Sequence, residues 1–201
     1  RCNITQARAL QLLNEWAGQP LPLSASCWIG NPSAGDGELT IRLAGDAAAF
    51  KAAIPLMGAA VNATELDPSA ATEFWYALRE QQLPAFTSLK LEDTLYRLAL
   101  PAACGPLKLE NVNGDIVLEW HGQQRWIKAS GSEETFKAIK ALATTHGGHA
   151  TRFKQGANID PNYQRFTLLS EQAHSQALEA VQERLRSAFD PSGVFATKRL
   201  P

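Results

Sequence analysis

The feature that most constrains this sequence is an order of elements that occurs twice: two strands, a helix and a third strand. The first copy is predicted over residues 22–66 and the second over residues 115–153. In both copies the helix ends at a glycine, Gly58 or Gly147, that leads directly into the returning strand. Alternating apolar and polar residues along the strands indicate a sheet that helices cover on one face. We therefore predict an α+β fold with an antiparallel or mixed sheet, built as two ferredoxin-like β-β-α-β halves.

Local signals predict where further helices begin. Asn3 followed by Gln6 is typical of a helix start in which a side chain caps the first turn. The pair Asp67-Pro68 predicts another start, with the carboxylate at the cap and the proline in the first turn. Ser132 predicts a third, because two glutamates follow it at the positive end of the helix dipole.

Other signals predict where helices end and the chain returns. Pro55 is expected to kink or end the helix that Gly58 closes. Residues 60–66 are then expected to form the returning strand of the first copy. A last long helix is predicted from about Ser170 to the pair Asp190-Pro191.

The composition is that of a globular protein, with 45% of the 201 residues hydrophobic and 19% charged. One domain of this length can bury a sizeable core, and we expect residues 1–201 to form a single domain. The formal net charge of −1 gives no reason to expect nucleic acid as a partner, since such proteins usually carry a basic excess. No apolar run is long enough to span a membrane. Three cysteines, an odd number at wide spacing, favour a reduced, cytoplasmic protein.

Common catalytic motifs do not occur: the sequence has no phosphate-binding glycine loop, nucleophile elbow or paired-cysteine motif. The one suggestive cluster is His146-Gly147-Gly148-His149. Two imidazoles at this spacing could hold a metal, but a metal site needs about three or four ligands and no carboxylate or thiol stands beside them. We therefore expect no bound metal, with His146 ending a helix and His149 beginning a strand. His149 remains a candidate acid, base or hydrogen-bond donor, with a purely structural role as the alternative.

Arg97 is the candidate for binding an anion. It lies in a predicted strand, between the apolar neighbours Tyr96 and Leu98 and on the opposite side of the strand from them. A guanidinium on a sheet face is suited to bidentate binding of a carboxylate. The alternatives are a side chain that faces solvent or an ion pair with Glu92 or Asp93.

The second hairpin carries aromatic residues beside an arginine. Trp120, Arg125 and Trp126 could stack on a flat ligand. Packing between neighbouring strands is the alternative, and it is the interpretation we favour.

Several segments together resemble the E subunit of bacterial glycolate oxidase, a family within the FAD-linked oxidases. They occur in the order of that family and cover nearly all of the chain: Asn14–Ser26, Phe74–Gln81, Leu95–Leu98, Gly147–Phe153 and Phe189–Phe195. The family closes with an Asn-Pro-Gly-Arg stretch near the flavin. Here that stretch reads Ala196-Thr197-Lys198-Arg199, so only the arginine is kept. The resemblance implies that Arg199 contacts the cofactor, and the departure weakens that assignment.

The resemblance implies a cap domain, the C-terminal part of a larger subunit. The glycine-rich loop that holds the FAD pyrophosphate would lie on an N-terminal domain absent from this chain. The cap would cover the isoalloxazine and shape the side where a small 2-hydroxy acid binds. Implied partners are the flavin-binding D subunit, whose histidine-rich metal motif this chain lacks, and an iron–sulfur subunit. Through them the protein would associate with the inner membrane peripherally.

In such a cap, Arg97 would bind the substrate carboxylate and His149 would take the hydroxyl proton. A non-catalytic α+β binding or assembly module within a larger complex is the alternative function. Because the sequence has no loop that binds a pyrophosphate, we expect residues 1–201 alone to be folded, colourless and inactive.

Overall fold

A computed structural model describes residues 1–31, 35–109, 112–156 and 175–195. The chain divides into two compact units, Arg1–Asp160 and Pro161–Pro201. The helices of the first unit are α1 (Gln6–Ala17), α2 (Ala47–Gly58), α3 (Pro68–Arg79), α4 (Pro84–Thr87) and α5 (Glu133–Thr145). Its strands are β1 (Cys2–Thr5), β2 (Leu23–Gly30), β3 (Asp36–Leu43), β4 (Asp93–Ala99), β5 (Ile116–Glu119), β6 (Gln124–Ser130) and β7 (His149–Gln155).

The seven strands form one sheet in the order β1-β3-β2-β5-β6-β4-β7, and each neighbouring pair is antiparallel. The order β1-β3-β2, with α1 between β1 and β2, is that of a split β-α-β unit. The order β5-β6-β4-β7 at the other end is that of a complete ferredoxin-like sheet. The prediction of an antiparallel α+β sheet is therefore confirmed; the ferredoxin-like order is complete in the second half, and the two halves meet where β2 pairs with β5.

The first half has no returning strand, so the prediction of a strand over residues 60–66 is wrong. At that place, beside the outer edge of β1, Thr64 exchanges one pair of backbone hydrogen bonds with Arg1, at 2.8 and 2.9 Å. The segment includes Asn62, Ala63 and Glu65, residue types that are depleted in strands. One pair of bonds forms, but it does not extend into a ladder.

Among the described residues between β4 and β5, 100–109 and 112–115, there is no helix. Residues 100–109 run there as a loop without regular structure and lay Cys104 and Leu107 against the sheet, both at least 92% buried. Arg125 of β6 holds this loop, because its guanidinium donates to the carbonyls of Cys104 and Gly105 at 2.5 and 2.7 Å. The loop therefore covers the part of the sheet that α1 covers in the first half.

The two faces of the sheet have separate cores. Helices α1, α2 and α5 cover the first, the α1 face, with buried side chains that include Leu12, Leu13, Trp28, Tyr96, Leu118 and Phe136. Helices α3 and α4 cover part of the second, the α3 face, with a smaller core of Cys27, Leu78, Ala85, Phe86, Leu95, Val117 and Trp126. Helices α3 and α4 leave part of the second face uncovered, and a site on the sheet can lie there.

The start of the chain differs from its prediction. Asn3 lies in β1, and the helix begins at Gln6 with Thr5 as its cap, whose hydroxyl accepts from the amide of Arg8 at 3.2 Å. Sheet pairing overrides the capping signal here because Cys2 becomes buried and Ile4 accepts from the indole of Trp28 at 3.0 Å.

The other predicted helix boundaries can be compared directly. Asp67 and Ser132 cap α3 and α5 as predicted. Helix α2 continues through Pro55 to Gly58, so the proline does not end it. None of the helices in the described ranges is long and apolar enough to cross a membrane.

The second unit contains α6 (Ser175–Phe189), which ends before Asp190 as predicted. Its predicted start near Ser170 lies outside the described residues. Asp190 orders the turn that follows, since its carboxylate accepts from the amides of Val194 and Phe195 at 2.8 Å.

Candidate functional site

The open part of the α3 face is polar. On this face, Ala99 of β4 lies beside Gln124 of β6 and His149 of β7, and Gln124 in turn lies beside Glu119 of β5. Two residues back along β4, Arg97 pairs with Thr151. Because side chains alternate along strands and align across them, these residues share one face. We call Arg97, Glu119, Gln124, His149 and Thr151 the polar end of the α3 face.

Arg97 is half buried at the polar end, with its guanidinium 5.9 Å from the ring centroid of Phe153. The alternative ion pairs with Glu92 and Asp93 do not form: Asp93 instead accepts from the Asn113 side chain at 2.7 Å and from the amide of Lys90 at 3.2 Å. No carboxylate of the described residues lies within ion-pair distance of Arg97. The aromatic ring positions the guanidinium and leaves its donors available for an anion.

His149 is exposed at the first position of β7, and His146 caps the C-terminal end of α5, as the sequence predicted for both. Between them, Gly147 adopts a φ of +75°. Gly148 comes so close to β4 that a Cβ there would lie 2.2 Å from the Ala99 carbonyl oxygen. The two glycines therefore allow His149 to enter the sheet directly beside Ala99.

Arg97 and His149 are brought together by the pairing of β4 with β7. They are diagonal neighbours across this pair, which places their Cα atoms about 7–8 Å apart. Both side chains are long enough to reach one small ligand from this distance. His146 lies outside the sheet and does not share this arrangement.

Glu119 organises the opposite side of the polar end. Its Oε2 accepts from the Trp126 indole at 2.5 Å and from the Gln124 amide at 3.1 Å. These bonds fix the carboxylate against the sheet. The neighbouring thiol of Cys27 is fully buried, and burial raises its pKa well above the usual value, with the carboxylates of Glu119 and Glu38 adding to the rise. Cys27 is therefore a protonated thiol at neutral pH and not a nucleophile.

The aromatic residues of the second hairpin separate into two kinds. Arg125 and Trp126 are buried packing residues, as we favoured, with Trp126 in edge-to-face contact with Phe86 and Phe153. Trp120 is different, because 65% of its surface is exposed. Only Trp120 of the three is free to stack on a ligand.

Sequence reasoning missed Glu119, Gln124 and Thr151. Strand alternation alone would have put Gln124 and Trp126 on one face of β6. What it could not give is the pairing of β4 with both β6 and β7, which joins residues 97, 124 and 151. Arg199 lies outside the described residues. Within the described ranges, no three His, Cys, Asp or Glu side chains lie together as metal ligands.

One curated relative matches the chain closely enough to support an interpretation. Over 200 residues, all of this chain, the sequence is 33% identical to glycolate oxidase subunit GlcE of Escherichia coli strain K12. The chain spans about half of that relative, 47% of its length. No protein-family model matches the chain, and no solved structure does either. The resemblance to the glycolate oxidase E subunit is thus confirmed across the whole chain.

Proposed function

We propose that this chain is the C-terminal cap domain of a glycolate oxidase subunit that uses FAD, and that its polar end faces the substrate. The similarity to GlcE over the whole chain supports the subunit assignment. Within that subunit, residues 1–201 would act as one domain that closes over a flavin carried elsewhere. Its partners would be the flavin-binding D subunit and an iron–sulfur subunit, in a cytoplasmic complex associated peripherally with the inner membrane.

The observation that carries the proposal is the environment of Arg97. It is a half-buried guanidinium, packed on an aromatic ring, on the part of the sheet face that α3 and α4 do not cover. A 2-hydroxy acid has a carboxylate that can accept two parallel N–H···O bonds from such a group. Because the side chain is already positioned, little conformational entropy is lost when the acid binds.

His149 would act on the hydroxyl of the same substrate. The hydroxyl and the carboxylate of a 2-hydroxy acid are on adjacent carbons, so one molecule can contact both Arg97 and His149. A neutral imidazole can accept the hydroxyl proton through its unprotonated ring nitrogen.

The starts of α2, α3 and α5 do not fit the diphosphate of FAD. Such a group prefers a helix start with free backbone donors and no nearby negative charge. Here Asp46 and Asp67 occupy the starts of α2 and α3, and α5 begins with Glu133 and Glu134. The FAD diphosphate would therefore not be held at these three helix starts.

The test uses the complete subunit in its assembled complex, with flavin content checked in each variant. Arg97→Met is expected to cost about 2–5 kcal/mol in kcat/KM if the charge pair with the substrate is buried, that is, about 30-fold or more. His149→Ala is expected to lower kcat about a hundredfold. The matched controls are Arg79→Met on α3 and His146→Ala, whose side chains are exposed and away from the polar end.

Unchanged kinetics in both variants, with flavin retained, would contradict the roles of Arg97 and His149. The alternative function, a non-catalytic assembly module, would then be favoured, with the reaction carried by a partner subunit. Under it, the same variants would change subunit assembly and leave turnover per complex unaffected.

A further inference from the structure

The turn between β5 and β6 holds three consecutive residues in the left-handed region of backbone space. Trp120, His121 and Gly122 have φ values of 51°, 57° and 84°. Glycine adopts this region readily, but tryptophan and histidine do so at a cost because their Cβ atoms crowd the backbone. Bulky residues held this way are uncommon and concentrate at functional turns.

Buried neighbours fix the turn in this conformation. The buried hydroxyl of Ser26 accepts from the His121 amide at 3.0 Å, and Arg125 donates to the Gly122 carbonyl at 3.0 Å. A Cβ at Gly122 would lie 2.2 Å from a methyl carbon of Leu10, so α1 packs directly on this position. The turn is therefore rigid, and the direction of its first side chain is set.

The rigid turn presents a tryptophan to solvent. Trp120 is 65% exposed, whereas Trp16, Trp28 and Trp126 are at most 4% exposed. The fold of the described residues gains little from an indole held there on a costly backbone. A large, preorganised and exposed aromatic side chain is the type of residue that anchors a protein interface.

The position of Trp120 indicates which polypeptide it contacts. It directly follows Glu119 and lies four residues before Gln124 of β6, so it stands at the rim of the polar end. Any polypeptide that covers the polar end would extend over this rim. About half of GlcE lies outside the part that this chain matches.

We propose that Trp120 anchors this domain against the flavin-bearing half of the same subunit, at the rim of the polar end. The inference rests on the proposed function, which requires that half to face Arg97 and His149. The indole buries apolar surface in the interface and closes one side of the polar end to bulk water. The left-handed backbone of the turn is the energetic cost of holding the Trp120 side chain in position.

The experiment measures access to position 120 in the complete, flavin-containing subunit. Trp120→Cys and the control Leu56→Cys are treated with a maleimide, and the labelled peptides are quantified by mass spectrometry. Leu56 is a matched control because it is 62% exposed on the ordinary helical backbone of α2. Each rate is divided by its rate in denaturant, and Cys2, Cys27 and Cys104 are resolved as separate peptides.

We expect the Trp120→Cys thiol to react at least tenfold more slowly than the Leu56→Cys thiol. Equal rates in a subunit that retains flavin would overturn the anchor and leave the proposed function standing. Protection that appears only when partner subunits are added would also overturn it, because the occupant would then be another chain. A wild-type subunit without flavin would remove the proposed function and this inference together. If Trp120→Cys fails to fold, hydroxyl-radical oxidation of Trp120 itself measures the same access.

Discussion

Replacement of Arg125 by methionine should lower the free energy of unfolding more than a substitution of an exposed arginine does. The side chain is 1% exposed and donates to three backbone carbonyls, those of Cys104, Gly105 and Gly122. Burial lowers the pKa of Arg125 from its usual value, which reflects the cost of taking the cation out of water. No substitution at position 125 can remove the three carbonyls, because they belong to the backbone.

The size of this loss depends on whether each carbonyl finds another hydrogen-bond donor. Each buried carbonyl left without a donor costs about 1–3 kcal/mol. The carbonyl of exposed Gly105 can turn to water, while those of Cys104 and Gly122 belong to buried residues. Adding the lost attachment of the loop, we expect Arg125→Met to lower the free energy of unfolding by about 3–5 kcal/mol. For a domain of this size that corresponds to a fall in Tm of about 6–20 °C.

The assay is urea unfolding followed by circular dichroism, with calorimetry for Tm. Arg79→Met, an exposed arginine paired with Glu80, is the control and should change the free energy of unfolding by less than about 0.5 kcal/mol. Arg125→Lys should lie between Arg125→Met and the wild type, because an ammonium cannot reach three carbonyls in the fork geometry of a guanidinium. A loss below 1 kcal/mol for Arg125→Met would refute the reasoning and show that the loop is held by its apolar side chains alone.

Two further predictions concern the sheet and the turn. Folding raises the pKa of the Cys27 thiol, so the folded protein keeps the proton to higher pH than the unfolded chain. The resulting contribution to stability is complete below about pH 8.5 and is lost as pH rises, with a slope of up to about 1.4 kcal/mol per pH unit. Urea titrations at about pH 8–10 should show that Cys27→Ala removes this slope. Trp120→Asn should leave the free energy of unfolding of the 201-residue chain within about 1 kcal/mol of the wild type, because relief of the left-handed strain offsets the lost packing, whereas Trp126→Ala should lower it by about 3–5 kcal/mol. A cost above 2 kcal/mol for Trp120→Asn would give that side chain a structural role.

Signals confined to a few neighbouring residues predicted most elements of this fold. The caps at Asp67 and Ser132 each depend on local chemistry, and both predictions are confirmed. The prediction failed where two local signals overlap and where a segment lies at the edge of the sheet. Residues 2–5 carry a capping pattern yet join the sheet, and residues 60–66 have apolar content yet lie at an edge that makes one pair of bonds.

The candidate site was only half predictable for a related reason. Arg97 and His149 were chosen by residue type and by position on a strand, which are local properties. Which residues lie beside them on the α3 face depends on the pairing of β4 with β6 on one side and with β7 on the other. Those partners are distant in sequence, and single-sequence periodicity contains no information about register between them.

The α1 face of the sheet is covered by a helix in the first half and by a loop in the second, and amide exchange can measure this difference. In the first half α1 covers the sheet with a regular helix, whose amides are hydrogen-bonded internally. In the second half the loop uses Leu107 and Cys104 for burial, and the amides of Gly105, Leu107, Lys108 and Leu109 donate to no other described residue. We therefore expect these four amides to exchange with deuterium at least a thousandfold faster than those of Leu12 and Leu13, because exchange of the helix needs its opening and exchange of the loop does not. Two-dimensional NMR exchange at pH 6 measures the comparison. Equal protection in the two segments would mean that the loop is as strongly hydrogen-bonded as the helix it replaces, and the role given to Arg125 would then be superfluous.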